Sequence, residues 1–457
     1  MFVQQKFGWG FLLLAICCIG LDGFRANETA NLLVNGEING ADTAWMLGAS
    51  GLVLLMTPGL GFFYAGMVNA KNVVSTLFQS FAAVGVVSIV WLVVGFSLAF
   101  GDSIGGLFGN PFTYLMFHHV GASPHSELGK TLPFVLFALF QLKFAIITPA
   151  LITGAFAERI KFTSYLLFIA LWTIIVYSPL AHLTWHPDGI FMKWGILDYA
   201  GGTVVHISAG MAALAGALVL GPRNAYKRRE TLVPSNVPFV LLGTGLLWFG
   251  WFGFNAGSSL KANGEGALAF LNTHMASSVA LVVWMCLEGM RGKKVSAVGA
   301  CIGAVVGLVA ITPAAGHVSV VASVIIGLIA ATISNVAVHF KERFGFDDTL
   351  DVFSCHGLGG IVGMLLTAVF AKNGGLITGE TTLFLTHLLG LLITLPAVFL
   401  ASYLIYKLVN CICPLRITTA EEIEGLDLTQ HGELALVPPS AAFPLVEDTP
   451  SYASSYL

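Results

Sequence analysis

Apolar runs of 18 or more residues recur from about residue 43 to residue 408, separated by short polar connections. As helices, each is long enough to cross ~30 Å of hydrocarbon. The pattern predicts eleven spans, at about 43–68, 73–100, 131–156, 162–182, 200–220, 236–257, 265–289, 296–313, 317–340, 351–371 and 380–408. Ten-residue segments of alternating polarity, the mark of a membrane β-barrel, are absent from the sequence. The expected fold class is an all-α membrane protein with eleven transmembrane helices.

The flanks read differently. Residues 1–20 carry Lys6, then an apolar stretch from Phe7 to Ile19 that is short for a span, then small residues at Cys18 and Gly20. This is the pattern of a signal peptide, with an uncleaved anchor as the alternative. Residues 21–408 form the transmembrane domain, and 409–457 form a tail. That tail is acidic and patterned over Thr418–Glu433, then rich in Pro and Ser and expected to be disordered after about 436.

Composition narrows the function. Of 457 residues 56% are hydrophobic and only 10% charged, against about 25% charged in soluble domains. A soluble enzyme is excluded. No basic run is long enough to suggest nucleic acid. The seven cysteines lie mostly in apolar segments without CxxC spacing, which argues against a zinc site or a disulfide framework. Placement of charge says more than the net −3. With the mature N-terminus outside, fourteen Lys and Arg fall in inner segments, chiefly 223–229, 291–294 and 341–343, and five in outer ones. The positive-inside rule then places the N-terminus outside and the tail in the cytoplasm of a multi-pass protein of the cell (inner) membrane.

Three short motifs each occur twice in the same order. Phe63-Tyr-Ala-Gly66 is matched by Phe254-Asn-Ala-Gly257, and Ile147-Thr-Pro-Ala150 by Ile311-Thr-Pro-Ala314. Asp198, seven residues, then His206 is matched by Asp348, seven residues, then His356. The first set lies in spans 1, 3 and 5, the second in spans 6, 8 and 10. Five is odd, so the second unit enters the membrane inverted, the plan of many transporters. Span 11 stands outside the repeat.

Ionisable residues inside spans are costly and mark pathways by default. His206 and His356 sit at matching depths, so the repeat sets them as symmetry mates. Two neutral imidazoles can share one hydrogen bond and pass a proton between them. Around them Trp185, Phe144 and Phe254 offer aromatic faces to a small cation, and Ser258 offers an acceptor oxygen. A ring of carboxylates, which would select a metal cation, is missing from the spans. This favours a weakly held cation that sheds its proton and crosses as a neutral molecule. Ammonium qualifies; sodium and potassium have no neutral form. Asp198 is read as an N-cap at the start of span 5, with direct proton acceptance as the alternative, and Asp351 is expected to cap span 10.

At this point the sequence resembles the Amt/Mep/Rh ammonium transporter family, and its Amt branch in particular, over about residues 43–433. The signatures are FYAGMV (63–68), ITPALITGAFAERI (147–160), AHLTW (181–185), DYAGGTVVHISAG (198–210), GWFGFNAGS (250–258) and DVFSCHGLGGIVG (351–363). The resemblance implies the ammonium-transporter fold, a homotrimer and one narrow apolar pore per subunit. It implies an outer ammonium site at Trp185, Phe144 and Ser258 with Asp198 beside it, a gate of Phe144 and Phe254, and a twin-histidine pore at His206 and His356. It implies a tail, 421–427, that docks on neighbouring subunits, and a PII signal protein as a partner at the cytoplasmic face. No catalytic residue, cofactor or metal is expected, and the chain reads as a transporter rather than an enzyme.

One residue departs from that pattern. Lys143, the residue before Phe144, stands near mid-membrane where a small or apolar side chain is expected. It is either structural or a modulator of conduction. The leading reading is an ammonium transporter that conducts ammonia with a proton relay, making it electrogenic. The alternatives are a passive ammonia channel and an ammonium sensor that signals through the tail.

Overall fold

Eleven apolar helices follow one another in the computed structural model, which describes residues 37–231, 233–341 and 345–435. They are α1 (Gly40–Met67), α2 (Ala70–Phe100), α3 (Phe134–Phe156), α4 (Phe162–Lys193), α5 (Gly202–Leu220), α6 (Val237–Gly257), α7 (Gly264–Met290), α8 (Ala297–Ile311), α9 (Val320–Phe340), α10 (Phe353–Phe370) and α11 (Thr382–Ile412). Every expected span is matched by one of them. The signal peptide expected at 1–20 and the stretch after 436 lie outside the described residues.

Ten of these helices are long and apolar enough to cross a membrane. Helix α8 has 15 residues, or ~22 Å at helical rise. It stops at Ile311 because Pro313 supplies no N–H to continue it. The matching Pro149 stays inside α3, where the backbone tightens only from Thr153 to Phe156. In both copies the threonine hydroxyl turns back one helical turn. Thr148 donates to the carbonyl of Phe144 at 2.7 Å and Thr312 to that of Leu308 at 2.8 Å.

Close approach of helices is arranged by glycine, as expected where lipid gives little hydrophobic drive between helices. Gly59 and Gly66 of α1 and Gly243, Gly250 and Gly253 of α6 leave no room for a Cβ against the opposing helix. Helices α5 and α10 cross in the same way, Gly210 against the backbone of Gly357 and Gly360 against Ile207. That crossing sits one residue from His356 and four from His206.

Helix α5 starts at Asp198 and ends beside Arg223; α10 starts beside Asp347, which pairs with Arg223 at 2.8 Å. The two helices therefore run in opposite directions, as the inverted repeat requires. We call the end carrying Arg223 and Asp347 the tail end. The opposite one is the hairpin end, after the two-stranded hairpin of β1 (Ser103–Ile104) and β2 (Phe108–Gly109).

The tail folds back along the tail end of its own chain. A short helix α12 (Thr419–Glu424) opens with a capping box between Thr418 and Glu421. Lys71 donates to the carbonyls of Glu422 and Ile423, and Arg416 pairs with Glu422 at 3.0 Å. The Asp427 carboxylate accepts the N–H groups of Val74 and Ser75, so the tail caps the first turn of α2.

Candidate functional site

Four elements build a cavity of ≈ 230 Å³ at the hairpin end, lined among others by Gln141 and Phe144 of α3, Trp185 of α4, Tyr199, and Ser258 just past α6. Trp185 is held by its indole N–H, which donates to the carbonyl of Asp198 at 3.0 Å. Its ring meets that of Phe144 edge-on at 5.8 Å. The Ser258 hydroxyl donates its proton to the carbonyl of Phe254 at 2.8 Å, leaving its lone pairs to face the cavity. Glu127 stands exposed at the rim.

The floor is shut. Phe144 and Phe254 stack with centroids 4.2 Å apart and planes at 28°, and neither is more than 1% exposed. Beneath them lies His206, 6.1 Å from the Phe254 ring and stacked on Trp251 at 5.3 Å. The indole of Trp251 is fixed in turn by donation to the Thr312 hydroxyl at 2.9 Å.

His206 and His356 meet. Their rings lie 5.4 Å apart at 26°, their Nδ1 atoms 3.3 Å apart, and both side chains are buried. Each histidine sits on a π-helical turn, Gly202–Ile207 in α5 and Phe353–Gly357 in α10, the kind of local widening that recurs at functional sites. One Nδ1–H donates to the other ring's Nδ1 lone pair, so one ring keeps an acceptor Nε2 and the other a donor Nε2–H. Handing a proton along the pair reverses that assignment. The Nε2 of His206 is buried and has no hydrogen-bond partner among the described residues.

Asp198 is engaged on both oxygens. Oδ1 accepts from Gly201 and Gly202 at 2.9 and 2.5 Å, and Oδ2 from Thr203 and Val204 at 2.8 and 3.3 Å. This is an N-cap geometry, made possible by Gly201 at φ +114°, where a side chain would be strained. The expected cap of α10 by Asp351 does not form. Asp351 sits at φ +60° with its carboxylate 2.5 Å from the Lys341 ammonium. Asp348 caps α10 instead, its Oδ2 accepting from Phe353 at 2.7 Å. The repeat spacing, which pairs Asp348 with Asp198, outweighs simple proximity to the helix start.

Lys143 is half-buried on the flank of α3, ~100° round the helix from Phe144. It makes no hydrogen bond or ion pair among the described residues. His182 is a buried structural histidine: it bonds Ser103 at 2.8 Å and the Ala99 carbonyl at 3.0 Å. Sequence reasoning passed over Trp251, Tyr199, Gln141 and Glu127. Trp251 lay within reach, since it stands three residues before Phe254 on one helical face.

Known proteins resemble the chain in sequence and in fold. The model of the Ammonium Transporter Family matches residues 44–436. An ammonium transporter of Aquifex aeolicus is 45% identical over 87% of this chain and 94% of its own. The crystal structure of Candida albicans Mep2 superposes with a TM-score of 0.80 at 34% identity, covering 84% of this chain and 88% of that one. A sensor Amt protein superposes with a TM-score of 0.78 at 30% identity, covering 86% and 98%. This chain is a member of the ammonium transporter family.

Proposed function

We propose that the chain recruits ammonium beside Trp185, Phe144 and Ser258, removes its proton and conducts ammonia past His206 and His356. The observation that carries this reading is the 3.3 Å contact between two buried imidazoles directly beneath a closed aromatic stack. Each aromatic face contributes ~0.5–2 kcal/mol to holding a cation, and Ser258 and the rim carboxylate of Glu127 add acceptors. Below the stack the two imidazoles lie buried, His206 against the Trp251 ring, and in such buried surroundings a charge is costly and a neutral molecule is not. Ammonium therefore sheds its proton before passing Phe144 and Phe254. Asp198, occupied by four N–H groups, acts as a structural cap that adds negative field and sets the register of His206.

The shared Nδ1 hydrogen bond suits a relay in which the proton follows through the histidines, making transport electrogenic. The Lys and Arg distribution supports an N-terminus outside and a cytoplasmic tail. The protein works as a homotrimer in the inner membrane, and its cytoplasmic face is where a PII signal protein would bind. Likeness to a sensor Amt protein, with the unpaired Lys143 beside the gate, supports a second reading, a sensor with little flux. The test is reconstitution into liposomes and the transient current after an ammonium pulse, against protein-free liposomes. A saturable current supports the electrogenic reading. Internal alkalinisation without current means passive ammonia conduction, and silence in both measurements favours the sensor.

A further inference from the structure

Passing a proton down the histidine pair makes an imidazolium in buried surroundings, and such a charge is costly unless something holds it. No acid does so. Among the described residues each ring's one hydrogen bond is to the other ring, and neither forms an ion pair. What lies against His206 is a π face. The Trp251 indole stacks on the His206 ring at 5.3 Å and 17°, nearly parallel to it. That is within the ~6 Å at which an indole face attracts a cation.

The indole is fixed in that place. Trp251 is 1% exposed, its N–H donates to the Thr312 hydroxyl at 2.9 Å, and that hydroxyl is itself committed to the Leu308 carbonyl at 2.8 Å. It serves one histidine only. His356 has no ring contact besides His206 among the described residues. Nor does the scaffold require a tryptophan here. Counted from the matched Phe63 and Phe254, the other repeat carries Leu60 at this position, buried to the same degree. The face thus lies against the histidine nearer the Phe144 stack, whose Nε2 is buried without a hydrogen-bond partner among the described residues.

We propose that Trp251 is a positioning residue of the relay: its face holds the charge on His206 while a proton enters the pair, and so sets how much charge moves per ammonia conducted. In net terms an ammonium N–H bond breaks and the His206 Nε2–H bond forms, NH4+ and neutral imidazole becoming NH3 and imidazolium. Without the face the proton stays at the hairpin end and ammonia crosses alone. This rests on the electrogenic conduction proposed above.

Trp251→Leu removes the face, and Trp251→Phe keeps a weaker one. The measurements, in reconstituted vesicles and against protein-free liposomes, are the initial current after an ammonium pulse and the initial uptake of isotopically labelled ammonium nitrogen. We expect charge moved per nitrogen to fall about 2- to 30-fold in Trp251→Leu, and by less in Trp251→Phe. A purely structural defect slows both measurements together and leaves their ratio alone. An unchanged or raised ratio in Trp251→Leu therefore overturns the proposal, and so does an equal loss in Trp251→Phe. Should Trp251→Leu not fold, Trp251→Phe decides: a lowered ratio supports the role and an unchanged one overturns it. Nitrogen uptake without current in the unaltered protein overturns the role and leaves ammonia conduction standing. If the unaltered protein shows neither, the conduction reading itself fails, and this one with it.

Discussion

At the scale of single residues, the aromatic side chains of the hairpin-end cavity have separable duties. Trp185 is anchored through its N–H to the Asp198 carbonyl, so its face is presented without a conformational cost on binding. Trp185→Leu removes one cation–π contact of ~0.5–2 kcal/mol, which raises the half-saturating ammonium concentration about 2- to 30-fold. The maximal rate should fall much less, and concentration–current curves check this; the opposite split would count against recruitment. Lys143 calls for a different argument. Its ammonium has no partner among the described residues, and an unpaired charge in hydrocarbon is a cost rather than a support. We expect Lys143→Met to raise the melting temperature in detergent and leave the current within about twofold, since the side chain lies ~100° round from the gate. A several-fold rise in current would instead make Lys143 a brake on conduction.

At the scale of elements, the tail end is tied together by a buried charge network. Arg223 grips Asp347 with two hydrogen bonds of 2.8 and 2.9 Å and reaches Glu158 at 2.7 Å. Burial acts to raise the Asp347 carboxyl, but the Arg223 hydrogen bonds and the Arg159 charge outweigh it and hold it below the usual carboxylate range. A depressed folded-state value means that this stabilisation is complete above the ordinary carboxylate range and fades as pH falls below it. Arg223→Met takes the closest cation from two buried carboxylates, leaving Asp347 with Arg159 at 4.0 Å and Glu158 with the Asn69 N–H. The loss stays below about 3–5 kcal/mol, the cost of a wholly unpaired buried charge, and thermal unfolding at pH 7 should still come earlier. Lowering the pH toward 4 should narrow the gap to the unaltered protein, because the two acids take up protons; a gap that widens on acidification would contradict the assignment. Much of this architecture was legible beforehand. Hydropathy alone located eleven helices, because each must present apolar side chains over most of its length. The histidine pair was legible because symmetry gave two lone residues a common depth. The rim residue Glu127 was not, since it reaches the cavity from a loop whose path no periodicity records. Nor was the cap of α10, where Asp351 stands closer to the helix in sequence but the chain turns through a left-handed conformation and brings Asp348 into place.

At the scale of the whole molecule, the scaffold is nearly symmetric and the recruitment site is not. The repeat matches Phe254 with Phe63, Phe144 with Leu308 and Ser258 with Met67. The stacked aromatic pair and the hydroxyl at the hairpin end thus have a lone aromatic, an aliphatic and a thioether as their counterparts toward the tail end. An inverted repeat needs only its histidines and helix crossings to be alike, so the two mouths were free to diverge in the chemistry that holds a cation. Losing one aromatic face and an acceptor is worth about 1.4 kcal/mol, or about tenfold in affinity. The half-saturating ammonium concentration should therefore be about tenfold lower from the hairpin end than from the tail end. At zero membrane potential and equal pH, passive conduction also requires the ratio of maximal rate to half-saturation to be the same from both sides. The tighter mouth must then show the lower maximal rate, by the same factor. Vesicles sorted by orientation, assayed with ammonium on one side at a time, measure both quantities. Equal half-saturation from the two sides would mean that the aromatic cavity does not hold the cation, whatever passes through the pore beneath it.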